Sequence, residues 1–431
     1  MSATPDAIEI LPGKPSGALS VPSSKSYTNR ALLLAALAVG ESTIRNPLRS
    51  DDAEAMIQAL RALGVQIEDA GDHLVVRGTG GFAPPGGPID CRDSGTTIRF
   101  LTAAAALCDF PVTLSGSPQL CGRPLGPLLD ALAGLGVVVD ASDGCPPVAI
   151  HGPVRSTNAT IDAAKSSQYA SALLMALGAI GQQEASVSVR HLVSRPYVTM
   201  TIESMRAFGV DWGERLPGSD VFGPLEPGYY RPIDYRVEFD ASSAGHIWAV
   251  AAIAGGRVTV SPATRSTGQP DIRLLDTLEA MGCVVTEAGG GVSVERIGAL
   301  RAPGGVDMSD WPDMLTTLAV IAAFAPGETE ITGVAHARGH ETDRVTATAH
   351  ELSKMGVQVE ERPDGLLVIG GAPHGARIDS HGDHRMAMAF AAAGSVVPGV
   401  IIEGPACVRK TYPGFWNDLR RLGVFSREAN P

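Results

Sequence analysis

Apolar residues recur at helical spacing in six segments of the chain, and each of these segments ends in a glycine. The segments are MIQALRALG, LLDALAGLG, TIESMRAFG, LLDTLEAMG, AHELSKMG and FWNDLRRLG, and their last residues are Gly64, Gly136, Gly209, Gly282, Gly356 and Gly423. A glycine directly after an amphipathic helix is typical of a helix stop, because it adopts the left-handed backbone without strain. The glycines recur about every 70 residues, which predicts an internally repeated architecture.

A second helical stretch, rich in alanine and leucine, precedes each glycine-ended helix, as in RALLLAALAVG and GHIWAVAAIAG. Helices this uniformly small and apolar are predicted to be buried. Two short alternating runs around a turn signal follow most of the closing glycines, as in VQVEERPDGLLVIGG. One repeat therefore reads as helix, strand, helix, strand, strand.

The sixth repeat lacks its last two strands, because only VFSREANP follows Gly423. The segments AIEI and ALSV flank the turn-forming LPGKPSG near the start of the chain, and we expect them to form a hairpin that completes this repeat. Three repeats per domain is the simplest division. The first domain would then be discontinuous, with residues 1–22 and 237–431, and the second would contain residues 23–236.

The composition narrows the class of protein. A net charge of −12 over 431 residues excludes a general polyanion-binding surface, so we expect no nucleic-acid partner and a local cationic pocket for any anionic ligand. The six cysteines form no C-x-x-C pair, which favours a reduced chain over a disulfide scaffold or a zinc site. The N-terminal MSATPDAIEI lacks the regions of a signal peptide, and no apolar run reaches the length of a membrane span. We expect a soluble, cytoplasmic monomer.

Polar residues that could bind an anion collect where the six buried helices begin. These starts read SSKSYTNR, DSGTTIR, KSSQY, DASSAGH, SDWPDM and GDHRM. Taken singly, their serines, threonines and aspartates are interpreted as N-caps. Basic residues nevertheless recur beside the caps, where the helix dipole disfavours cations, and these are Lys25, Arg30, Arg99, Lys165 and Arg385. A bound anion would remove that conflict, and several helix starts aimed at one cleft would form an anion receptor.

Four more basic residues fall in predicted loops: Arg123, Arg195, Arg344 and Lys410. A single surface arginine is usually a solvated charge. Their joint occurrence in an acidic chain indicates substrates that carry phosphate and carboxylate groups.

The segments SKSYTNR, SGTTIRFL, RPLGPLLDAL, SSQYASALLMAL, SRPYVTMTI, ASSAGHIWAVAAI, PDMLTTLAVIAAFA, ETDR, DHRMAMAF and KTYPGFW resemble the 5-enolpyruvylshikimate-3-phosphate synthase family of enolpyruvyl transferases over nearly the whole chain. The resemblance implies an α/β fold, an inside-out α/β barrel of six βαβαββ repeats, with three repeats in each of two domains and the active site in the cleft between them. It also implies a shikimate-pathway transferase that moves the enolpyruvyl group of phosphoenolpyruvate to the 5-hydroxyl of shikimate 3-phosphate and releases phosphate. No metal or organic cofactor is implied.

The resemblance also assigns residues to roles. It implies catalytic functions for Lys25, Asp313 and Glu341, with Asp313 accepting the proton of the attacking hydroxyl. Phosphoenolpyruvate would be bound by Lys25, Gly95, Arg123, Gln168, Arg344, His384, Arg385 and Lys410. The acceptor would be bound by Lys25, Ser26, Arg30, Ser166, Ser167, Gln168, Ser194, Tyr197, Asp313, His336 and His340.

These roles agree with elementary electrostatics. A cluster of cations binds the phosphoenolpyruvate anion and stabilises charge that moves onto departing phosphate. The same cations would repel one another without substrate, so we expect an open form that closes on binding.

Five positions depart from the family pattern. Histidines replace a lysine at His340 and an asparagine at His336, Asp93 replaces an asparagine, Asn29 a histidine, and Ser117 an aspartate. A histidine is only partly charged near pH 7, so His340 would hold a phosphate less firmly than lysine. The acceptor is therefore shikimate 3-phosphate or, in a divergent paralogue, another cyclic polyol.

Three further alternatives stay open at this point. Enolpyruvyl transfer to UDP-N-acetylglucosamine is one, with Cys121 near Arg123, although the cysteine of that family lies further upstream. RNA 3′-phosphate cyclases have a related fold, but the acidic chain argues against them. A non-catalytic anion-binding protein would be expected to have lost Asp313 or Glu341.

Overall fold

The computed structural model describes residues 5–226 and 228–429, so the first four residues of MSATPDAIEI and the last two of VFSREANP lie outside the described residues. The chain divides into two compact units. The split unit combines the chain up to Pro22 with the chain from Phe239 onward, and the continuous unit is Ser23–Glu238. From the sequence, we placed the second crossing near residue 237.

The strands follow one another in both units at short intervals. They are β1 (Ala7–Leu11), β2 (Gly17–Leu19), β3 (Val39–Arg45), β4 (Gln66–Asp69), β5 (His73–Thr79), β6 (Ile89–Asp90), β7 (Val112–Ser115), β8 (Val138–Ala141), β9 (Val148–His151), β10 (Asn158–Asp162), β11 (Ser186–Arg190), β12 (Trp212–Glu214), β13 (Val221–Pro224), β14 (Asp234–Arg236), β15 (Gly256–Val260), β16 (Val284–Ala288), β17 (Gly291–Arg296), β18 (Gly304–Asp307), β19 (Gly327–Thr332), β20 (Gln358–Arg362), β21 (Gly365–Gly370), β22 (Arg377–Asp379), β23 (Val400–Glu403) and β24 (Phe425–Glu428).

The helices lie between groups of one to three of these strands. They are α1 (Lys25–Leu37), α2 (Asp51–Ala62), α3 (Gly95–Ala105), α4 (Pro118–Cys121), α5 (Gly126–Gly134), α6 (Ser167–Gly178), α7 (Arg195–Ala207), α8 (Ala241–Ala254), α9 (Leu274–Ala280), α10 (Leu315–Ala322), α11 (Arg344–Lys354), α12 (His384–Gly394) and α13 (Phe415–Arg421), with 3₁₀ turns at Pro270–Arg273, Pro312–Met314, Ala335–Gly339 and Pro405–Lys410.

Within the described residues, each unit has three four-stranded sheets with one parallel and two antiparallel pairs. The sheet orders are β14-β3-β5-β4, β6-β7-β9-β8 and β10-β11-β13-β12 in the continuous unit, and β2-β15-β17-β16, β18-β19-β21-β20 and β22-β23-β1-β24 in the split unit. Each sheet with its two main helices is one βαβαββ repeat. The predicted α/β fold of six repeats, three in each unit, is confirmed.

At each of the two points where the chain crosses between the units, the strand before the crossing pairs within the unit that the chain is leaving. β2 directly precedes α1 in the chain, yet it pairs in parallel with β15 in the split unit. β14 directly precedes α8, yet it pairs in parallel with β3 in the continuous unit. Each crossing therefore comes directly after the first strand of a repeat, and the helix that follows belongs to the other unit.

The predicted N-terminal hairpin is wrong, although β1 does complete the sixth repeat. β1 pairs with β23 on one edge and with β24 on the other, so neither edge is left for β2. The connecting residues are bonded to the sixth repeat instead, because Gly13 N–H donates to Ser395 O (2.9 Å) and Ser16 N–H to Leu422 O (3.0 Å). VFSREANP, which we treated as too short for a strand pair, supplies the edge strand β24.

The six predicted stop glycines all end helices, with φ between 76° and 99°. At the first of them, Gly64 N–H donates to Arg61 O (3.0 Å) and Val65 N–H to Leu60 O (3.0 Å). This pair of bonds is the Schellman motif, and it recurs at the other five glycines. The repeated glycine is therefore explained by one backbone structure.

The alanine-rich helices are buried, as predicted. Every residue of α12 is buried, and so are Ala241–Ile253 of α8 and Tyr27–Leu37 of α1. α8, α10 and α12 pack on one another in the split unit, while α3 packs on α1 and α6 in the continuous unit. Among the described residues, no helix combines the length and the hydropathy that a membrane span requires.

Candidate active site

Side-chain caps begin five of the six buried helices. Ser24, Ser94, Ser166, Asp240 and Asp383 each accept a backbone N–H of the first turn. The interpretation of these residues as N-caps is therefore confirmed. α10 differs, because the 3₁₀ turn Pro312–Met314 precedes it and it has no side-chain cap. Asp313 lies in that turn, so its carboxylate is available to other partners.

Arg344 is the centre of a charged cluster in the split unit. It is the first residue of α11, and only 1% of its side chain is exposed. Nε donates to Asp383 Oδ2 (2.7 Å), Nη1 to Asp313 Oδ1 (2.8 Å) and Nη2 to Glu341 Oε2 (2.6 Å). Burial opposes the charged guanidinium, but the three carboxylates outweigh it and raise the pKa of Arg344 above its usual value.

Two more cations face the same carboxylates. Arg385 Nη2 donates to Asp313 Oδ2 (2.7 Å), so both oxygens of Asp313 are held by guanidiniums. Lys410 Nζ lies 4.0 Å from Glu341 Oε1. Three cations thus meet three carboxylates in this cluster. The mutual repulsion that we expected among these cations is offset by the carboxylates, which corrects our reason for expecting an open form.

His340 lies against this cluster as a neutral base. Arg344 Nη1 donates to His340 Nδ1 (3.0 Å), and because a guanidinium only donates, Nδ1 carries no proton and Nε2 does. Burial, together with the Arg344 guanidinium, lowers the pKa of His340 well below its usual value. Burial also lowers the pKa of His336, whose ring lies edge-on to that of His340. Both observations favour a neutral imidazole, which corrects the partial charge that we expected at His340.

Two guanidiniums meet over the start of α3 in the continuous unit. A Cβ at Gly95 would lie 2.8 Å from Arg123 Nη1 and 2.9 Å from Arg99 Nη1, so only glycine fits here without displacing them. Arg99 Nη1 donates to Gln168 Oε1 (2.9 Å). The structure thus brings together Gly95, Arg123 and Gln168, which the resemblance assigned to phosphoenolpyruvate, at a helix N-terminus that favours anions.

Arg30 is engaged by neutral groups of three helices. Nε donates to Thr201 Oγ1 (2.8 Å), Nη1 to Ser26 O (3.0 Å), and Nη2 to Tyr197 O (2.9 Å) and Ser171 Oγ (3.4 Å). Burial lowers the pKa of Arg30 to about 10. Arg30 therefore links α1 to α6 and α7, whatever it contributes to acceptor binding.

The same guanidinium places other predicted acceptor residues. It donates hydrogen bonds to the backbone carbonyls of Ser26 and Tyr197, which lie in the first turns of α1 and α7. Ser194 is the N-cap residue of α7 and has a left-handed backbone with φ 51°, an uncommon conformation for a residue with a side chain. On α6, Ser166 caps the helix and Ser167 follows it as a buried first residue.

Two departures from the family pattern prove to be neighbours. The Ser117 hydroxyl donates to Asp93 Oδ1, and the same hydroxyl accepts the N–H of Leu120 (3.1 Å) as the cap of α4. The carboxylate that the resemblance implies at position 117 is therefore absent there, and the carboxylate of Asp93 is hydrogen-bonded to that position instead.

Sequence reasoning missed the acidic partners of the predicted cations. Asp383 is fully buried and binds Arg344, and Asp52 Oδ2 lies 3.5 Å from Lys25 Nζ. Both aspartates stand at helix starts, where acids are expected as caps or dipole partners, so no local signal distinguishes them. Arg195, which we grouped with the anion-binding residues, pairs with Glu214 and Asp220.

The chain is similar to known proteins in family, sequence and structure. The sequence model of the EPSP synthase family (3-phosphoshikimate 1-carboxyvinyltransferase) matches residues 11–419. A 3-phosphoshikimate 1-carboxyvinyltransferase of Methanoculleus marisnigri is 44% identical over 416 residues, which are 96% of this chain and 98% of that protein. The enzyme of the same name from Rhizobium etli is 38% identical over 442 residues and covers 100% of both chains.

The fold also matches that of solved EPSP synthase structures. The EPSP synthase of Acinetobacter baumannii superposes with a TM-score of 0.80 and 27% sequence identity, covering 98% of this chain and 100% of that chain. The matches by sequence and by structure thus extend over nearly the whole chain.

Proposed function

The chain belongs to the EPSP synthase family and transfers the enolpyruvyl group of phosphoenolpyruvate to shikimate 3-phosphate, a step of aromatic amino acid biosynthesis, and on this premise we propose which residues perform the reaction. The observation that carries the proposal is the position of Asp313 between Arg344 and Arg385. A base and two anion-binding groups are thereby joined in one set of hydrogen bonds.

Asp313 is the base that takes the proton of the attacking hydroxyl. Two guanidiniums stabilise its ionised form and make it a weak proton acceptor before substrate binds. The phosphate and carboxylate of phosphoenolpyruvate compete for the same guanidinium donors. When they displace Asp313 from Arg344 and Arg385, its carboxylate becomes a stronger base, so substrate binding itself activates the residue.

Glu341 also lies between two cations, and we assign it to the proton transfer at C3 of phosphoenolpyruvate. Its Oε2 accepts from Arg344 (2.6 Å), and its Oε1 lies 4.0 Å from Lys410 Nζ. Anion binding at these two cations releases the Glu341 carboxylate as well. We assign the proton transfer at C3 to Glu341 together with Lys25, as the family resemblance implies.

We assign phosphoenolpyruvate binding to the residues that the family resemblance implies. In the split unit these are Arg344, Arg385 and Lys410, with His384 beside them, and in the continuous unit Lys25 and Arg123, with Gly95 and Gln168. The cations stabilise charge that moves onto the departing phosphate. Closure of the protein on its substrates stays a prediction that small-angle scattering with and without both substrates tests.

The acceptor is bound by hydroxyls and by neutral imidazoles. Ser166, Ser167 and Ser194 stand at helix N-termini, where a phosphate monoester is favoured. His340 offers a neutral Nε2–H, which suits a hydroxyl oxygen of the ring better than a phosphate counter-charge. We extend this to His336, whose pKa is also lowered by burial.

Phosphate release with phosphoenolpyruvate and shikimate 3-phosphate tests these assignments. Asp313→Asn is expected to lower kcat about 10²–10⁴-fold, the usual contribution of a general base. Asp310→Asn is the matched control, because Asp310 lies three residues earlier and pairs only at the surface with Arg273 (2.9 Å). Equal activity of the two variants would show that Asp313 is not the base.

Location and assembly are part of the same proposal. All six cysteines are free thiols, which is consistent with a cytoplasmic enzyme. We propose a monomer without a nucleic-acid partner, and light scattering of the purified chain, with and without added RNA, measures both.

A further inference from the structure

A second cluster of ionisable side chains is formed by α11, two turns after Arg344, and the turn before α12. Glu351 is fully buried, and its Oε1 lies 3.0 Å from His350 Nδ1 and 3.0 Å from His381 Nε2. One ligand atom from each of the three residues falls within 4.8 Å of the others. None of the three belongs to the proposed active site.

These distances suit a small divalent metal ion. Zinc binds imidazole nitrogen and carboxylate oxygen at about 2.0–2.2 Å in tetrahedral geometry, which places neighbouring ligand atoms about 3.3 Å apart. Two edges of this triangle are already 3.0 Å long. A tetrahedral ion on three protein ligands keeps one position for water.

A carboxylate lies near the other ring nitrogen of His381. The distance from His381 Nδ1 to Asp379 Oδ2 is 3.7 Å, which is longer than a hydrogen bond, although a carboxylate on this side of the ring is common beside ligating histidines. Asp379 Oδ1 also accepts the backbone N–H of His381 (2.7 Å), which has a left-handed backbone with φ 51°. Glu351 is oriented in the same way, because its Oε2 accepts the N–H of Asp379 (3.1 Å).

Lys354 is the competitor for this carboxylate. Its Nζ lies 2.9 Å from Glu351 Oε1 and 2.8 Å from Oε2. The Lys354 side chain is 35% exposed, so the ammonium can move into solvent when another cation takes its place. A metal ion bound here would therefore replace Lys354 as the counter-charge of the buried Glu351 carboxylate.

We propose that His350, Glu351 and His381 bind one divalent transition-metal ion of the zinc class, in exchange for the ammonium of Lys354. Imidazole and carboxylate ligands favour zinc over magnesium or calcium, which prefer oxygen alone. The bound ion would join α11 to the turn before α12, two residues ahead of Asp383. The proposal is independent of the reaction, since no step of it uses this metal.

The test is zinc binding to the full-length, untagged chain after chelator treatment, followed by competition with a chromophoric chelator. The wild-type protein is expected to bind one zinc ion per chain. His350→Ala removes an exposed ligand and is expected to weaken binding at least about tenfold. His374→Ala is the control, because His374 is an exposed histidine of the same unit that contacts none of the three ligands.

Lys354→Met distinguishes this site from adventitious binding to surface histidines. It removes the competing ammonium and is expected to tighten zinc binding several-fold, whereas surface histidines elsewhere would be unaffected. Binding to the wild type also raises its Tm, because the stabilisation grows with the logarithm of one plus the ratio of free zinc concentration to Kd. The absence of a one-to-one site in the wild type, equal affinity in His350→Ala and His374→Ala, or no gain in Lys354→Met would overturn the proposal.

Discussion

Two arginines, one in each unit, are almost completely buried, and their charges are compensated by different kinds of partner. Arg344 in the split unit is surrounded by three carboxylates, and its pKa is raised despite burial. Arg30 in the continuous unit donates to hydroxyls and backbone carbonyls, and burial lowers its pKa to about 10. One charge is compensated by charge and the other by dipoles.

The difference matters for anion binding. In the proposal above, a substrate anion that binds Arg344 displaces a carboxylate, which then becomes available as a base. The hydrogen-bond partners of Arg30 include no carboxylate, so a phosphate bound near Arg30 would displace none. The Arg344 cluster of the split unit is therefore the one where we propose that anion binding releases a carboxylate, whereas Arg30 of the continuous unit is a fixed donor.

The largest effect is expected for Arg344→Met. It leaves Asp313, Glu341 and Asp383 around a site without its central cation, and an uncompensated buried charge costs about 3–5 kcal/mol of folding free energy. Urea unfolding and hydrogen exchange, read separately for each unit, measure the loss.

Arg273→Met is the control for this change. Arg273 lies in the same unit and pairs with Asp310 (2.9 Å) at an exposed position, where such a pair contributes about 1 kcal/mol or less. Similar losses of folding free energy in both variants would show that the buried ion pairs of Arg344 contribute no more than an exposed pair does.

Arg30→Met should cost less, about 1–3 kcal/mol, because it strands neutral acceptors rather than charges. The loss should appear as faster hydrogen exchange in α1, α6 and α7. Arg206→Met, on the exposed side of α7, should leave exchange unchanged. An Arg30 variant as damaging as Arg344→Met would contradict the contrast between the two arginines.

Gly95→Ala tests the guanidinium pair of the continuous unit. The added Cβ must displace Arg99 and Arg123, from which it would lie under 3.0 Å. We expect the KM for phosphoenolpyruvate to rise about tenfold or more, since small displacements of binding groups are costly. Gly126→Ala provides the comparison, because a Cβ there meets no atom within 4 Å. An unchanged KM in Gly95→Ala would mean that this guanidinium pair does not bind the substrate.

The smallest effect concerns His340 and pH. The pKa of His340 in the folded protein is lowered below its usual value of 6.5. As the pH falls below 6.5, His340 of the unfolded chain binds a proton and His340 of the folded protein does not, so stability is lost. The surrounding groups are Arg344, Asp313, Glu341 and His336. His340→Gln should reduce the loss between pH 7 and pH 6 by less than about 1 kcal/mol. His374→Gln serves as the exposed control, and identical pH profiles of the two variants would refute a neutral His340.

Local signals predicted the repeat, and contacts distant in sequence decided what was missed. Gly64 and its five counterparts could be predicted because both hydrogen bonds of a Schellman motif form within six consecutive residues. The partner of β1 could not, because AIEI pairs equally well with any free edge, and its partners lie at the other end of the chain.

The site shows the same division. Arg344, Arg385 and Lys410 were found as basic residues in an acidic chain. Their carboxylate partners were not, because Asp383 lies 39 residues from Arg344 and looks like an ordinary helix cap. Asp93 and Ser117 were counted as separate departures until their hydrogen bond joined them.

Phosphoenolpyruvate binding to Asp313→Asn tests most directly whether carboxylates hold the cations until substrate displaces them. Calorimetric titration of the free protein should show several-fold tighter binding than the wild type, because one competing charge is gone, while kcat falls. Asp310→Asn should bind as the wild type does. Weaker or equal binding by Asp313→Asn would contradict the displacement of Asp313 by substrate.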